Sequence, residues 1–257
     1  MKIIVAIKQV PSRDSQLRID TSGRWIDEGG LSYEINEPDA YALEEALQLK
    51  EKHGGEVIAL CAGPARAAQT IREALAKGAD RAIHVETRED VSGWDTLAMA
   101  KLLAAAVKSE SADLILTGLQ SDDLGYGQTG VVMAELMGVC HSTIIMQVDV
   151  NSGAIRVKRE LEDGWFQHID MPLPAVLTIQ SGINKLRYAT LMGIKKAKTK
   201  ELKRVTPEEL GVAPSATASI EKLFAPQKSK QTQILEGDAK TVAAKLVEKL
   251  KFEARVL

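Results

Sequence analysis

The apolar positions of this chain alternate between two rhythms. Short, nearly unbroken runs at Lys2–Lys8, Glu56–Cys61, Arg81–Val85 and Leu114–Thr117 have the length and continuity of strands covered on both faces. Between them, apolar residues recur three or four places apart: Leu43, Ala46 and Leu47, then Ile71, Ala74 and Leu75, then Leu97, Leu102, Ala105 and Ala106. That spacing predicts three helices. The first opens at Asn36-Glu37-Pro38-Asp39, where Pro38 suits a first turn and Asn36 or Asp39 can cap, and it stops at Gly54-Gly55. The second covers Ala65–Lys77 before Gly78, and the third Asp95–Ser109. Pro11 ends the first strand, and two short alternating pieces around Thr21-Ser22-Gly23 predict a small hairpin within Leu17–Glu34.

Strand and helix alternating in this way predict an α/β fold with a doubly wound, mostly parallel sheet and right-handed crossovers. Beyond Gly138 the rhythm changes. Thr143–Val150, Ala154–Glu160 and Trp165–Ile169 follow one another with turns at Asn151-Ser152-Gly153 and Glu162-Asp163-Gly164, and Pro174–Ile179 completes the run. No long helix separates these strands, so an antiparallel extension is expected to join the parallel sheet. Thr206–Gln233, with Pro207, Pro214 and Pro226, reads as an extended C-terminal arm. Helical spacing returns at Asp238–Leu250, where Val242, Ala243, Leu246 and Leu250 share a face. The chain thus divides into residues 1–182, the α/β domain with its extension, residues 183–205, a loop and basic helix, and residues 206–257, the arm and its helix.

One stretch organises the chemistry. Leu114–Gly138 reads as strand, polar loop and helix, with Gly125 and Gly127 just before the helix begins near Gln128. Free N–H groups and the positive end of a helix dipole at such a loop attract an anionic phosphate. The spacing is neither a dinucleotide fingerprint nor a Walker A loop, so an ordinary strand-to-helix turn is an equal alternative. Asp122 and Asp123 would repel a phosphate unless they turn away or bind ribose hydroxyls. In doubly wound sheets ligands sit beyond the carboxyl ends of the strands, which gathers Ala6-Ile7-Lys8, Cys61-Ala62-Gly63-Pro64 and Thr117–Gly130 around one crevice.

Composition narrows the classes. A net charge of −2 over 257 residues gives no basic field for nucleic acid. No apolar run approaches the roughly 18 residues of a membrane span, so no membrane insertion is expected. Met1 leads directly into a strand, without an evident leader, and the expected location is cytoplasmic (bacterial or archaeal), with the mitochondrial matrix still open. Cys61 and Cys140 lack metal or redox spacing and read as core residues. His53, His84, His141 and His168 lie in unrelated segments, with no nucleophile–His–acid arrangement for hydrolysis.

The segment Val157–Thr178, VKRELEDGWFQHIDMPLPAVLT, resembles the signature of electron transfer flavoprotein β subunits. It holds Val157 and Arg159, the turn Glu162-Asp163-Gly164, then Gln167, Ile169, Pro174, Val176-Leu177 and Thr178. VAIKQVP, NEPDAYALEEAL, ALAKGADRA, SDDLGYGQTG and GINKLRYATLMGIKKAK match in order, and the resemblance covers roughly residues 1–210. It implies a Rossmann-like β subunit, paired with an α subunit that carries a redox-active FAD. It implies an electron carrier rather than a catalyst, taking electrons from acyl-CoA or amine dehydrogenases and passing them to a quinone oxidoreductase. In most members the β subunit buries an AMP. An electron-bifurcating subgroup holds a second FAD there and oxidises NADH. The loop of this chain ends in Gln128-Thr129-Gly130, closer to the AMP-binding members, so AMP is the expected nucleotide. By position, its contacts would be Ala6, Asn36, Ala62, Gln120, Asp123, Gly127, Gln128 and Thr129. A helix cap is an equal alternative for Asn36.

Between Ile183 and Arg204 stand eight basic residues against one acidic, Glu201. A solvated face is one explanation. The other is a docking surface with Leu191, Met192 and Ile194 as apolar anchors within a basic surround. The resemblance implies the second, with Leu191, Lys195 and Lys196 meeting the dehydrogenase and the terminal helix packing on the α subunit. A nucleotide-binding regulatory module of the universal-stress type shares the sheet architecture. The antiparallel extension and the basic loop argue against it.

Overall fold

In a computed structural model, which describes residues 1–88, 94–151, 153–213, 215–226 and 232–257, the chain folds around one large sheet. The strands are β1 (Lys2–Ala6), β2 (Gln9–Pro11), β3 (Tyr33–Ile35), β4 (Glu56–Gly63), β5 (Arg81–Glu86), β6 (Leu114–Gly118), β7 (Cys140–Asn151), β8 (Ala154–Glu160), β9 (Phe166–Pro172), β10 (Ala175–Ile179) and β11 (Leu202–Val205). The helices are α1 (Glu37–His53), α2 (Ala68–Lys77), α3 (Thr96–Lys108), α4 (Thr129–Met137), α5 (Leu191–Ala197) and α6 (Ala239–Phe252). Nine strands line up in the order β11-β5-β4-β1-β6-β10-β7-β8-β9. All neighbours from β11 to β7 are parallel, and the last two pairings are antiparallel.

The continuous apolar runs have the expected cause. In β1, β4 and β6, residues Ile3, Val5, Val57, Ala59, Leu114 and Leu116 face one layer, with α1, α2 and Ala197 of α5. Ile4, Ile58, Leu60 and Ile115 face the opposite layer, with α3 and α4. Both faces are covered, so a polar position in these strands would be buried. From β1 the chain winds outward through β4 to β5, then crosses to β6 on the other side of β1. The sheet therefore reverses direction between β1 and β6, which is where a doubly wound fold opens its crevice.

Three expectations need correction. Pro174–Ile179 was expected to close the antiparallel extension, but β10 lies inside the parallel sheet, between β6 and β7. Its physical reason is composition: all five residues of β10 are buried, as a doubly covered strand requires. Only β7, β8 and β9 form the antiparallel part, and Ser152, at the centre of the expected turn, lies outside the described residues, as does Pro214 of the arm. The basic segment also does not run on as a helical surface to Arg204, because Leu202–Val205 adds to the sheet edge beside β5. Finally, the first strand ends at Ala6, and Gln9–Pro11 leaves it to pair with Tyr33–Ile35. The small hairpin is present, with Asp20 N–H donating to Trp25 O at 2.8 Å and an Ile19–Ile26 bridge.

Where β7 passes from its parallel pairing with β10 to its antiparallel pairing with β8, the register shifts and Ile144 takes φ 58°. A β-branched residue is strained in that region, so the change of partner has a local cost. Among the described residues no helix is long and apolar enough to cross a membrane.

Candidate functional site

The crevice is assembled from strand ends. β1 stops at Ala6, which is buried, and Ile7 N–H still reaches Leu60 O of β4 at 2.8 Å. Ala62 and Gly63, at the end of β4, are half-buried alongside. On the other side β6 ends in Thr117 and Gly118. A Cβ on Gly118 would press on Asp39 Oδ1 and lie 2.7 Å from the backbone of Pro38 and Asp39. Only glycine lets the first turn of α1 sit this close to the end of β6.

That closeness is used by Asp39. Its side chain accepts from Lys8 N–H at 2.7 Å and from Gly118 N–H at 2.9 Å, so one carboxylate spans the ends of β1 and β6. Burial pushes its carboxyl up to about 7, against the opposing pull of the Lys8 N–H, Asn36, the Gly118 N–H and the Lys8 charge. Cys61 lies beneath, fully buried, and burial together with the Asp39 charge pushes its thiol up to about 12. It is a core thiol, not a nucleophile.

The loop between β6 and α4 is tied down from below. Asn36 immediately precedes α1 but makes no cap with its side chain. Its Nδ2 donates to Gln120 O at 3.0 Å and its Oδ1 accepts from Asp122 N–H at 2.8 Å, so both ends of the amide hold the loop. Asp122 turns toward the start of α1, accepting from Glu37 N–H at 3.3 Å, with Arg13 3.6 Å away. Asp123 turns toward Lys8, whose Nζ is 2.7 Å from its Oδ1 and 3.4 Å from Ser121 Oγ. Burial alone would raise the Asp123 carboxyl, but Lys8, Ser121 and Leu124 N–H outweigh it and hold the group below its ordinary value. Both acids are thus answered by groups 85 to 115 residues away in the chain. No motif within the loop signals this.

Gly125 and Gly127 carry φ of 65° and 63°, and α4 begins two residues after Gly127, at Thr129. Gln128 occupies the cap position without a side-chain cap bond. Gly130 in the first turn sits where a Cβ would meet Thr117 Oγ1 at 2.6 Å and Thr178 Cγ2 at 2.8 Å, which seats the helix start directly on β6 and β10.

The structure therefore gathers the site residues read from sequence into three groups. Ala6 and Ala62 stand at adjacent strand ends; Asn36 bonds the loop at Gln120, and Asp123 of the same loop pairs with Lys8; Gly127, Gln128 and Thr129 form the approach to α4. Gln128 and Gln120 have exposed side chains, while Asn36 is 1% exposed and fully engaged. Sequence reasoning left out Lys8 and Asp39 as site residues. The available signal was an acidic residue three places beyond Asn36 at the start of α1, which reads equally well as a cap. Among the described residues no cluster suits a metal ion.

A second region lies elsewhere on the surface. Tyr188, Leu191, Met192 and Ile194 are 93%, 81%, 60% and 46% exposed, an apolar tip left largely open. Thr190 caps α5 by accepting from Gly193 N–H at 3.0 Å, and Gly193 packs so tightly on Ala76 O that no side chain fits there. Lys195 and Lys196 point outward. The basic surround is smaller than the sequence implies. Arg187 folds back on α1, bonding Glu44 at 2.6 and 3.0 Å and Glu51 at 2.6 Å, and Lys200 donates to Leu75 O and Ala79 O at the end of α2.

The arm crosses the α3 side of the molecule and is held by Asp95. One oxygen of Asp95 caps α3 at Ala98 N–H (2.8 Å); the other accepts from Thr217 N–H (2.7 Å), Thr217 Oγ1 (2.8 Å) and Ala218 N–H (3.0 Å). At its end α6 buries none of its 14 residues.

A family model for the electron transfer flavoprotein domain matches residues 24–210. The electron transfer flavoprotein subunit beta of Methylophilus methylotrophus is 35% identical over 258 residues, covering 96% of this chain and 97% of the relative. The mitochondrial electron transfer flavoprotein subunit beta of rice (Oryza sativa subsp. japonica) is 38% identical over 259 residues, covering 100% of both. The human subunit beta is 36% identical over 222 residues, covering 86% of this chain and 87% of the relative.

Proposed function

This chain belongs to the electron transfer flavoprotein family as a β subunit, and from that premise we propose that it holds a structural AMP and pairs with a flavin-bearing α subunit. The observation that supports the nucleotide most directly is the disposition of the two loop acids. Asp122 and Asp123 are turned to Arg13, the α1 start and Lys8, which removes the repulsion that would keep a phosphate from the start of α4. Gly127, Gln128 and Thr129 would supply N–H groups and a hydroxyl to the phosphate, while Ala6 and Ala62 flank the base. Asn36 would act by shaping the loop.

The chain is then an electron carrier's subunit and not itself a catalyst. The flavin that exchanges electrons is an FAD held mainly by the α subunit. Electrons arrive from a primary dehydrogenase of the acyl-CoA or amine type, which docks on Leu191 with Lys195 and Lys196 beside it, and leave toward a quinone oxidoreductase. The exposed apolar tip of α5 supports the docking reading, and the uncovered α6 supports pairing. Acid extraction of the purified heterodimer should release one AMP and one FAD. Two flavins and no AMP would replace this reading with the bifurcating one.

A further inference from the structure

The nucleotide reading uses the loop and the strand ends but assigns nothing to the buried carboxylate between them. We infer that Asp39 is a pH-sensitive positioning residue, which fixes the ends of β1 and β6 by accepting from Lys8 N–H and Gly118 N–H and thereby controls nucleotide retention. The inference deepens the proposed AMP site and rests on it for the second half only.

The geometry carries the first half. Lys8 and Gly118 close the two strands on either side of the switch point, and Asp39 is 6% exposed and packed so close to Gly118 that a Cβ there would press on its carboxylate. Lys8 is also the residue that neutralises Asp123. A shift of the β1 end therefore moves the ammonium that keeps the loop acid away from the phosphate. Asp39 reaches the nucleotide through Lys8 and is not itself a contact.

Ionised, the carboxylate accepts both N–H bonds. Protonated, one oxygen becomes a donor and a much poorer acceptor, which weakens one of the two bonds. Facing the carboxylate are Lys8 from the end of β1, Cys61 from β4 and Asn36 from the start of its own helix, with Asp123 beyond Lys8. Lys8 favours the ion, and burial opposes it more strongly, which brings the exchange to about pH 7. The sign for global stability is the reverse of the local one. The folded chain holds this proton more tightly than the unfolded chain, so Asp39 makes overall stability fall as the pH rises from about 4 to about 7. Local bonding at the strand ends improves over the same range. That opposition separates a positioning role from a merely structural one.

Amide hydrogen exchange on the purified heterodimer, corrected for intrinsic rates, reads the local half at pH 6 and pH 8. Protection of one of the two amides, Lys8 or Gly118, whichever faces the protonated oxygen, should rise by about tenfold at pH 8, the worth of one hydrogen bond to a charged acceptor. Val5 and Leu116, inside the same strands, should not change. In Asp39→Asn, which offers one acceptor where two are needed, the amide left facing the NH2 group should be weakly protected at either pH. Equal wild-type protection at both pH values would overturn the inference without any variant. The second half is read by the release rate of bound AMP, expected to be about tenfold faster for wild type at pH 6 than at pH 8 and insensitive to pH in Asp39→Asn. pH-independent release from the wild type would overturn the coupling. Absence of AMP from the wild type would sink the nucleotide reading, and the exchange result would still decide the role of Asp39.

Discussion

α1 and α6 are helices of similar length with opposite fates. α1 has 17 residues and buries ten of them against β1, β4, β6 and β10. Its first turn also donates or accepts bonds to three separate segments, through Asn36, Glu37 and Asp39. α6 is equally well formed locally. Asp238 caps it by accepting from Thr241 N–H at 2.8 Å, and Lys249 pairs with Glu253 one turn on at 2.7 Å. Yet none of its residues is fully buried, and Leu246, Val247 and Phe252 are 47%, 53% and 66% exposed. An isolated helix of about 14 residues is marginal in water. Capping and spacing decide that a segment is helical, but only burial decides what holds it. α1 is held by its own chain, and α6 is not.

The contrast can be broken most severely at Gly118. Gly118→Val should drive a branched side chain into the start of α1 and cost roughly 4 kcal/mol or more, seen in denaturant unfolding or as loss of folded protein. The control on the other helix is Ala244→Val, exposed on α6, which should change the unfolding free energy by no more than about 0.5 kcal/mol. Wild-type stability for the Gly118 variant would mean that α1 is not seated as described.

Removing Asp238–Leu257 sharpens the other side. The melting temperature of the chain alone should stay put, because α6 covers no core, while affinity for the α subunit should fall about 100-fold, or roughly 3 kcal/mol. A truncated chain that pairs as tightly as the intact one would dismiss α6 as an interface element. A smaller loss is expected from Leu191→Ala. One exposed leucine that becomes buried on docking contributes about 1.5–3 kcal/mol, so electron transfer from the dehydrogenase should slow by about tenfold at limiting concentration. Flavin spectrum and nucleotide content should be unaltered, and an unchanged reduction rate in stopped flow would remove Leu191 from the interface. Replacing Lys195 and Lys196 by glutamine should have the least effect. With Arg187 and Lys200 already engaged within the chain, association should slow by about two- to threefold at low ionic strength and not at all at high salt. A salt-independent loss would point to a structural role for these lysines.

Much of this was legible from local pattern. Helix and strand periods repeat within a few residues, so the succession of elements from β1 to α4, the hairpins of β7 to β9 and the helical character of α6 could be read directly. The ordered motifs from VAIKQVP to the Val157–Thr178 signature carried the family. The location of the crevice followed too, because winding order fixes where a doubly wound sheet reverses. What the sequence left open depends on contacts between distant segments. β10 was grouped with its neighbours in the chain, although its uniformly buried residues belong between β6 and β7. Lys8 meets Asp123 across 115 positions, and Asn36 meets Asp122 across 86. Arg187 finds Glu44 across 143. A charge written in a sequence states that a partner or water is needed, but only the packed chain decides which partner is within reach. For that reason the periodicity of this protein determined its elements, and the tertiary structure decided that its loop acids pair with Lys8 and the start of α1, that Asp39 joins two strands, and that α6 is a helix with no buried residue.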